Sequence, residues 1–268
     1  VPTMFHDMMA HENFSAADVS SVANVAYAGM SMTNELERRC INFLKPKIFA
    51  NYYGSSEIFT FTFCDHLDHK PGAAGWPGMN QMIRVVRADV DTMVKPDEIL
   101  PANQIGEVIA TMQSPEAFSG YWNRPDADFK AIREGWYFTG DLGYFDDDGE
   151  LFLSGRIDDM IISGGENIHP EEVEDILSNS HLVSSAAVVG LPDKRWGQKV
   201  VAFIEAASQK ATAKALDEFC TKSTLARFKR PRAYVFVDAL PKSASGKLLR
   251  RHLRDCEYTI SKDFESTL

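Results

Sequence analysis

The chain has 268 residues, more than a typical single domain of about 100–200 residues, which predicts one large or two unequal domains. Hydrophobic residues make up 44% and charged residues 25% of the chain, which excludes disordered and collagen-like proteins. The formal net charge of −10 argues against a protein that holds nucleic acid by neutralising its phosphates.

The cysteines and the apolar segments bear on the compartment. The four cysteines, Cys40, Cys64, Cys220 and Cys256, form no CxxC pair, which favours a reduced, cytoplasmic protein. No run approaches the roughly 18 apolar residues of a membrane span, so we expect no membrane partner. The first four residues, VPTM, open no signal peptide. The lack of an initiator Met fits either its removal or a start within a longer polypeptide.

The predicted elements of the first half are mainly strands. Apolar spacing predicts a helix over 33–41, with the hydroxyl of Thr33 as its N-cap. Strands are predicted at 48–53, 82–86 and 107–110, and a turn-rich connection at 71–80.

A hairpin then joins 144–145 to 151–153, and the second half alternates helices with strands. The predicted order is a helix at 170–179, strands at 186–190 and 200–205, a helix at 212–223, a strand at 234–237 and a basic helix at 247–256. We therefore predict a chain of mixed α/β and α+β class, with a domain boundary near Asp158.

Two segments contain metal-ligating residue types without a known ligand spacing. Residues 64–69, CDHLDH, fit neither a zinc finger nor HExxH, so we interpret them as a solvated loop. Residues 146–150, DDDGE, resemble part of a calcium loop, but its first and twelfth positions would be Tyr144 and Gly155. Asp148-Gly149 is better explained as a hairpin turn.

Two further segments suit a nucleotide. Residues 53–57, YGSSE, follow a strand and place hydroxyls and backbone N–H groups beside an acid, which suits a phosphate with its magnesium ion. The run 136–141, WYFTGD, ends in Asp141, and a single carboxylate can accept two hydrogen bonds from a ribose diol. Strand-to-turn segments of this kind are also common without a ligand.

The most specific string is 155–174, GRIDDMIISGGENIHPEEVE, which structurally predicts a hairpin leading into a capped helix. Its paired glycines also permit close approach of a ligand to the backbone. Residues 241–250, PKSASGKLLR, place Lys247 in a Gly- and Ser-containing loop. Ser245-Gly246-Lys247 is not a Walker loop, because Leu248 replaces the magnesium-binding hydroxyl. A solvated basic loop is the alternative.

In this order, the four segments resemble the acyl-adenylate-forming superfamily of acyl-CoA synthetases, amino-acid adenylation domains and luciferases. Residues 155–174, 196–198 and 228–232 are most similar to aryl-CoA ligases. The resemblance implies the C-terminal part of a β-rich large AMP-binding domain at 1–157, a hinge at Asp158 and a complete small domain at 159–268. It implies that a carboxylate reacts with ATP to give acyl-AMP and pyrophosphate, after which CoA takes the acyl group and AMP leaves.

The resemblance also implies roles for individual residues. The residues expected to contact the nucleotide are Tyr53, Gly54, Ser55, Ser56, Asp141 and Arg156. Glu57 would be catalytic and would hold Mg²⁺. Lys247 would stabilise charge that develops during adenylation. CoA contacts fall to Gly164, Gly165, Trp196, Phe228, Arg230 and Arg232. Ile58 and Phe59 would face the acyl pocket, or else simply pack in the core.

Several alternatives stay open at this point. The acid is aromatic or fatty, the acceptor is CoA or a carrier protein, and a homodimer is compatible with the family. No carrier segment follows the lysine loop in these residues, and Trp196 together with the basic run 227–232 favours free CoA. The family's upstream phosphate-binding loop does not occur in these residues, so we expect this chain alone not to adenylate. A non-catalytic nucleotide- or CoA-binding module is the third alternative.

Overall fold

The structure is a computed structural model and describes residues 1–89, 92–244 and 246–267, without the side chain of Ala16. Its contacts divide the chain into two compact units, Val1–Ile157 and Asp158–Leu268. Each unit combines a sheet with helices, as the predicted mixed fold class requires.

The first unit is built mainly of strands. Its helices are α1 (Pro2–Ala10), α2 (Asn34–Leu44) and α3 (Pro125–Ala131), with a 3₁₀ turn at Phe14–Ala16. Its strands are β1 (Asn24–Tyr27), β2 (Ile48–Tyr53), β3 (Thr62–Cys64), β4 (Ala73–Pro77), β5 (Ile83–Val86), β6 (Gly106–Thr111), β7 (Ile132–Arg133), β8 (Trp136–Phe145) and β9 (Leu151–Arg156).

These strands pair in the order β1-β2-β3-β4-β9-β8-β6-β5, with β7 beside β8. Only β1 and β2 are parallel among the described strands of this sheet. Buried side chains such as Ile58, Phe61, Val108 and Leu151 form a core against it. The consequence for function is that β2, which is far from β8 and β9 in sequence, contributes with them to one region of the unit.

Most predicted elements of this unit are confirmed. The side chain of Thr33 accepts a hydrogen bond from the Leu36 backbone N–H and caps α2 as expected. The predicted hairpin is also present, with Tyr144 paired to Phe152. Helix α1 and strand β1 were not predicted.

The prediction of a turn-rich connection at 71–80 missed a strand, because residues 73–77 form β4. A Cβ added to Gly75 would lie 2.0 Å from the Phe63 carbonyl oxygen. The lack of a side chain at Gly75 therefore lets β4 approach β3 closely, and tertiary pairing overrides the turn-forming tendency of glycine.

The second unit is an α+β fold. Its helices are α4 (Pro170–Ser178), α5 (Ala213–Lys222) and α6 (Arg250–Arg254), with a 3₁₀ turn at Ile157–Asp159 that begins in the last residue of the first unit. Its strands are β10 (Ile161–Ser163), β11 (Glu166–Ile168), β12 (Val183–Asp193), β13 (Gly197–Ala206) and β14 (Ala233–Phe236), paired in the order β11-β10-β13-β12 with β14 parallel to β13.

The predicted helices at 170–179 and 212–223 are confirmed as α4 and α5. The predicted helix at 247–256 is wrong at its start, because Leu248 forms an antiparallel bridge with Lys242 and α6 begins only at Arg250. The bridge holds the segment that carries Lys247 as a closed loop instead of a helical turn.

Candidate functional site

Asp141 lies at the centre of a hydrogen-bonded group in the first unit. The Tyr53 hydroxyl donates to Asp141 Oδ2 at 2.6 Å, and Arg156 Nη1 lies 3.0 Å from Asp141 Oδ1. Tyr53 ends β2, Asp141 lies in β8, and Arg156 ends β9. The sheet thus brings together three residues that the sequence separates by up to about a hundred positions.

The local backbone explains how the guanidinium of Arg156 fits. Gly140 has a φ of +72°, and a Cβ added there would lie 3.0 Å from Arg156 Nη2. That same nitrogen donates to the Thr139 carbonyl oxygen at 3.2 Å. A side chain at Gly140 would therefore crowd the guanidinium and strain the backbone.

Burial and a neighbouring charge determine the protonation state of Tyr53 in this group. Burial, and then the nearby Asp141 carboxylate, raises the pKa of Tyr53 well above its ordinary value, so its hydroxyl remains a donor. The Asp141 side chain is 19% exposed and is therefore accessible to a ligand. A carboxylate oxygen can accept more than one hydrogen bond, which makes the Asp141 side chain chemically suited to a diol.

The turn after β2 is held by its own hydrogen bonds. Ser55 Oγ accepts from the backbone N–H groups of Glu57 and Ile58, at 3.1 and 3.3 Å. A Cβ added to Gly54 would lie 1.8 Å from the Phe59 carbonyl oxygen, so the turn requires glycine there. Ser56 is exposed.

Glu57 is a carboxylate held in place by a residue that the sequence did not indicate. The Tyr121 hydroxyl donates to Glu57 Oε1 at 2.7 Å. Burial opposes ionisation of Glu57, but hydrogen bonds from Tyr121 and Ser55 hold its pKa below the ordinary value. An ionised, part-exposed carboxylate is a hard oxygen ligand, so Glu57 fits a Mg²⁺ ion. No motif pointed to Tyr121, which is 64 residues away.

The two predicted acyl-pocket residues differ in environment. Ile58 is fully buried in the core of the first unit, whereas Phe59 is 66% exposed and its ring centroid lies 6.1 Å from that of Tyr52.

The second unit brings three of the predicted CoA residues together. The Gly164 N–H donates to the Trp196 carbonyl oxygen at 2.8 Å, and a Cβ added to Gly164 would lie 2.9 Å from the Trp196 ring. The Arg232 guanidinium lies 5.3 Å from the centroid of the same ring. We call Gly164, Trp196 and Arg232 the tryptophan surface.

The other predicted CoA residues have separate surroundings. A Cβ added to Gly165 would meet no atom within 4 Å, so the backbone there is open. Phe228 is 41% exposed. The Arg230 guanidinium donates to the hydroxyl of Thr221 in α5.

Lys247 is exposed within a loop closed at its base. The Lys247 N–H donates to Ser243 Oγ at 3.1 Å, and the Leu249 N–H donates to the Pro241 carbonyl oxygen at 2.8 Å. Ser245, which belongs to the predicted motif, lies outside the described residues.

Asp158, the predicted hinge, is the first residue of the second unit. Its carbonyl oxygen accepts from Arg254 Nη1 at 3.4 Å, and the same nitrogen lies 3.0 Å from Asp159 Oδ1. These contacts attach the start of the second unit to α6.

Among the described residues, no helix is both long and apolar enough to cross a bilayer.

Comparison with known proteins identifies the family. The AMP-binding enzyme family matches residues 1–122, and the AMP-binding enzyme C-terminal domain matches residues 172–247. The chain belongs to this family of adenylate-forming enzymes.

Two curated relatives and one solved structure illustrate the similarity. A 4-chlorobenzoate–CoA ligase from Arthrobacter sp. is 41% identical over 254 residues, which cover 95% of this chain and 47% of that protein. A fatty acid–[acyl-carrier-protein] ligase from Streptomyces coeruleorubidus is 35% identical over 262 residues, which cover 95% of this chain and 48% of that protein. The solved o-succinylbenzoate CoA synthetase from Bacillus subtilis, in complex with its acyl-adenylate intermediate, is 31% identical, with a TM-score of 0.79 over 95% of this chain and 50% of that one. The chain thus spans about half the length of these relatives.

Proposed function

We propose that the protein containing this chain is an AMP-forming acid–CoA ligase. A carboxylate oxygen of the acid attacks the α-phosphorus of ATP, so that acyl-AMP forms and pyrophosphate leaves. The thiol sulfur of CoA then attacks the acyl carbonyl, so that the thioester forms and AMP leaves. The observation that carries the proposal is the part-exposed Asp141 carboxylate, which the Tyr53 hydroxyl and the Arg156 guanidinium hold in position.

The two units have distinct parts in this proposal. The first unit corresponds to the C-terminal part of the large AMP-binding domain, and the second to the small C-terminal domain. Asp158, where the second unit begins, is the hinge between the two half-reactions.

In the first unit, the nucleotide is bound by groups that the fold already orients. Asp141 accepts from both ribose hydroxyls, and the half-exposed guanidinium of Arg156 donates to the ribose or a phosphate. The Tyr53 hydroxyl keeps Asp141 oriented, so little conformational freedom is lost on binding.

The turn after β2 takes the phosphates. Gly54 and the exposed Ser56 offer backbone and hydroxyl groups to them, and Ser55 shapes the turn through its own hydrogen bonds. Glu57 holds Mg²⁺, which when bound offsets phosphate charge.

Lys247 acts electrostatically in adenylation. Its ammonium stabilises the negative charge shared by the α-phosphate and the attacking carboxylate in the transition state. Because the loop that carries Lys247 is closed at its base, its backbone has fewer conformations to lose when Lys247 engages the reacting groups.

In the second unit, the tryptophan surface receives CoA. The ring of Trp196 packs on the pantetheine, and Gly164 and Gly165 allow close approach of that chain. Arg232 then meets the phosphates of the CoA nucleotide, with Arg230 and Phe228 on the same ligand.

For the acid, we propose an aromatic carboxylate, with Ile58 and Phe59 supplying apolar surface. The similarity to a 4-chlorobenzoate–CoA ligase supports this choice. A second candidate, loading of a carrier protein with a fatty acid, is supported by the 35% identity to a ligase of that kind. The two differ in acid and in thiol acceptor, so one assay separates them.

The test uses the complete gene product that contains this chain. Pyrophosphate release is measured with benzoates and with fatty acids, and thioester formation with CoA and with a phosphopantetheinylated carrier protein. Benzoate- and CoA-dependent turnover supports the first candidate, and fatty-acid turnover onto the carrier supports the second. Nucleotide binding without acid-dependent pyrophosphate release overturns both and favours a non-catalytic binding module.

Variants then test the assigned residues. Asp141→Asn should lower kcat/KM for ATP at least about tenfold, which equals about 1.4 kcal/mol, because a neutral amide is a weaker acceptor than a carboxylate. Asp126→Asn, at an exposed ion pair with Arg124 in the same unit, is the matched control and should leave the rate unchanged.

Lys247→Ala should abolish pyrophosphate release while thioester formation from supplied acyl-AMP persists. Equal loss of both steps would contradict the role of Lys247.

A further inference from the structure

A second cluster of chemically distinctive side chains lies in the first unit, apart from the residues assigned to the nucleotide. Cys64 ends β3, His66 follows two residues later, and Glu150 directly precedes β9. Strand β4 pairs with both β3 and β9, so the sheet brings these residues together across 84 positions of sequence. One ligand atom from each of the three lies within 4.8 Å of the other two.

We propose that Cys64, His66 and Glu150 bind a divalent transition-metal ion of the zinc class. His66 Nε2 lies 3.0 Å from Glu150 Oε2, and Cys64 Sγ lies 3.9 Å from His66 Nε2. Ligands at zinc–ligand lengths of about 2.0–2.3 Å in a tetrahedron are separated by about 3.3–3.8 Å. Shifts of the side chains by a few tenths of an ångström to about 1 Å bring all three onto one ion, with a fourth position for water.

The ligand chemistry selects the kind of ion. A thiolate with an imidazole favours zinc and related metals over Mg²⁺ and Ca²⁺, which prefer all-oxygen sites. Cys64 is fully buried, and the side chains of Glu150 and His66 are 3% and 24% exposed. A closed site with one part-exposed ligand leaves a route by which the ion enters.

Neighbouring charges also favour a cation. The Lys70 ammonium lies 2.6–2.8 Å from carboxylate oxygens of Asp146, Asp148 and Glu150, so one positive charge faces three negative ones. The Lys70 ammonium is paired with Glu150 Oε1, whereas Glu150 Oε2 faces the imidazole of His66. Asp65 adds a fourth carboxylate, with Oδ1 at 3.3 Å from His66 Nδ1.

Asp65 is suited to orient the imidazole. A hydrogen bond from His66 Nδ1–H to Asp65 leaves the Nε2 lone pair toward Glu150, the arrangement by which a second carboxylate commonly fixes a metal-binding histidine. The Trp76 ring stacks on the imidazole at 4.8 Å between centroids and limits its rotation.

Residues 64–69 are not a simple solvated loop, since Cys64 and Leu67 are fully buried. Glu150, the third ligand, lies beyond the reach of any spacing motif.

The test is a metal titration of the purified chain after treatment with a chelator. We expect one equivalent of Zn²⁺ to bind, and Co²⁺ to give a thiolate-to-cobalt charge-transfer band, which reports a bound cysteine directly. Cys64→Ser should remove the band. His66→Gln, at a part-exposed side chain, should weaken Co²⁺ binding at least about tenfold, and Asp65→Asn by about 10–100-fold.

The controls are the other thiols. Cys40→Ser, at a buried cysteine of the same unit, and Cys256→Ser, at an exposed one, should both keep the band. Circular dichroism verifies that each variant is folded. The proposal is overturned if folded wild-type chain gives no charge-transfer band, if the band survives in Cys64→Ser, or if folded His66→Gln binds Co²⁺ as tightly as the wild type.

Discussion

Replacing Tyr53 with Phe removes one hydroxyl from the centre of the candidate nucleotide site. The hydroxyl donates to the Asp141 carboxylate at 2.6 Å, a length typical of a charge-assisted hydrogen bond. The ring itself is buried and packs against Phe61, with 4.8 Å between centroids. Because Phe keeps the ring, the substitution leaves no cavity the size of a side chain, and its effect reports the hydrogen bond.

The expected magnitude follows from the environment of each partner. A hydrogen bond to a charged group contributes about 1.5–3 kcal/mol, so Tyr53→Phe should lower the free energy of unfolding by about 2 kcal/mol. The Arg156 side chain, in contrast, is 54% exposed, and exposed ion pairs contribute about 0–1 kcal/mol. We therefore expect Arg156→Met to cost less than Tyr53→Phe.

The assay is urea denaturation, monitored by tryptophan fluorescence. It is applied to the single variants Tyr53→Phe, Arg156→Met and Asp141→Asn and to the double variant Tyr53→Phe/Asp141→Asn. The double-mutant cycle should give a coupling energy of at least about 1 kcal/mol between Tyr53 and Asp141. Tyr52→Phe, on the opposite face of the same strand, is the matched control. A cost below about 0.5 kcal/mol for Tyr53→Phe, the range of ordinary surface substitutions, or a larger cost for Arg156→Met, would refute the reasoning.

Three further predictions concern other parts of the two units. Burial raises the pKa of Glu37 from 4.5 to about 7. Between these pH values the folded chain keeps a proton on Glu37 that the unfolded chain has lost, so the free energy of unfolding falls as the pH rises from 4.5 to 7. Glu37→Gln should therefore gain roughly 3 kcal/mol relative to wild type across that window in urea titrations, and a gain that does not change with pH would contradict the assignment. Gly164→Ala should lower stability by about 1–2 kcal/mol, because Gly164 has a φ of +63° and its added Cβ would meet the ring of Trp196; an unchanged urea midpoint would show that the loop adjusts freely. Thr212→Ala should cost about 1 kcal/mol through loss of the α5 cap, which accepts from the Ala215 N–H at 3.1 Å, whereas Thr212→Ser should restore most of it; equal losses in both would exclude a capping role.

Local sequence signals were sufficient where the interactions that form an element are themselves local. The cap of α2 at Thr33 and the turn between β8 and β9 depend on residues within a few positions of one another, so both were predictable. Strand β4 was not predictable, because the close packing of Gly75 on the Phe63 carbonyl group depends on a partner in another strand.

The candidate site divides in the same way. The sequence by itself determined the family and the residue types available for a nucleotide, since those are written in short strings such as 155–174. Only the tertiary structure decided that Tyr53 and Arg156 hold Asp141, that Tyr121 holds Glu57, and that Glu150 joins Cys64 and His66. Hydrogen bonds and metal coordination act over about 2–3 Å, and strand pairing across a sheet sets which distant residues come that close.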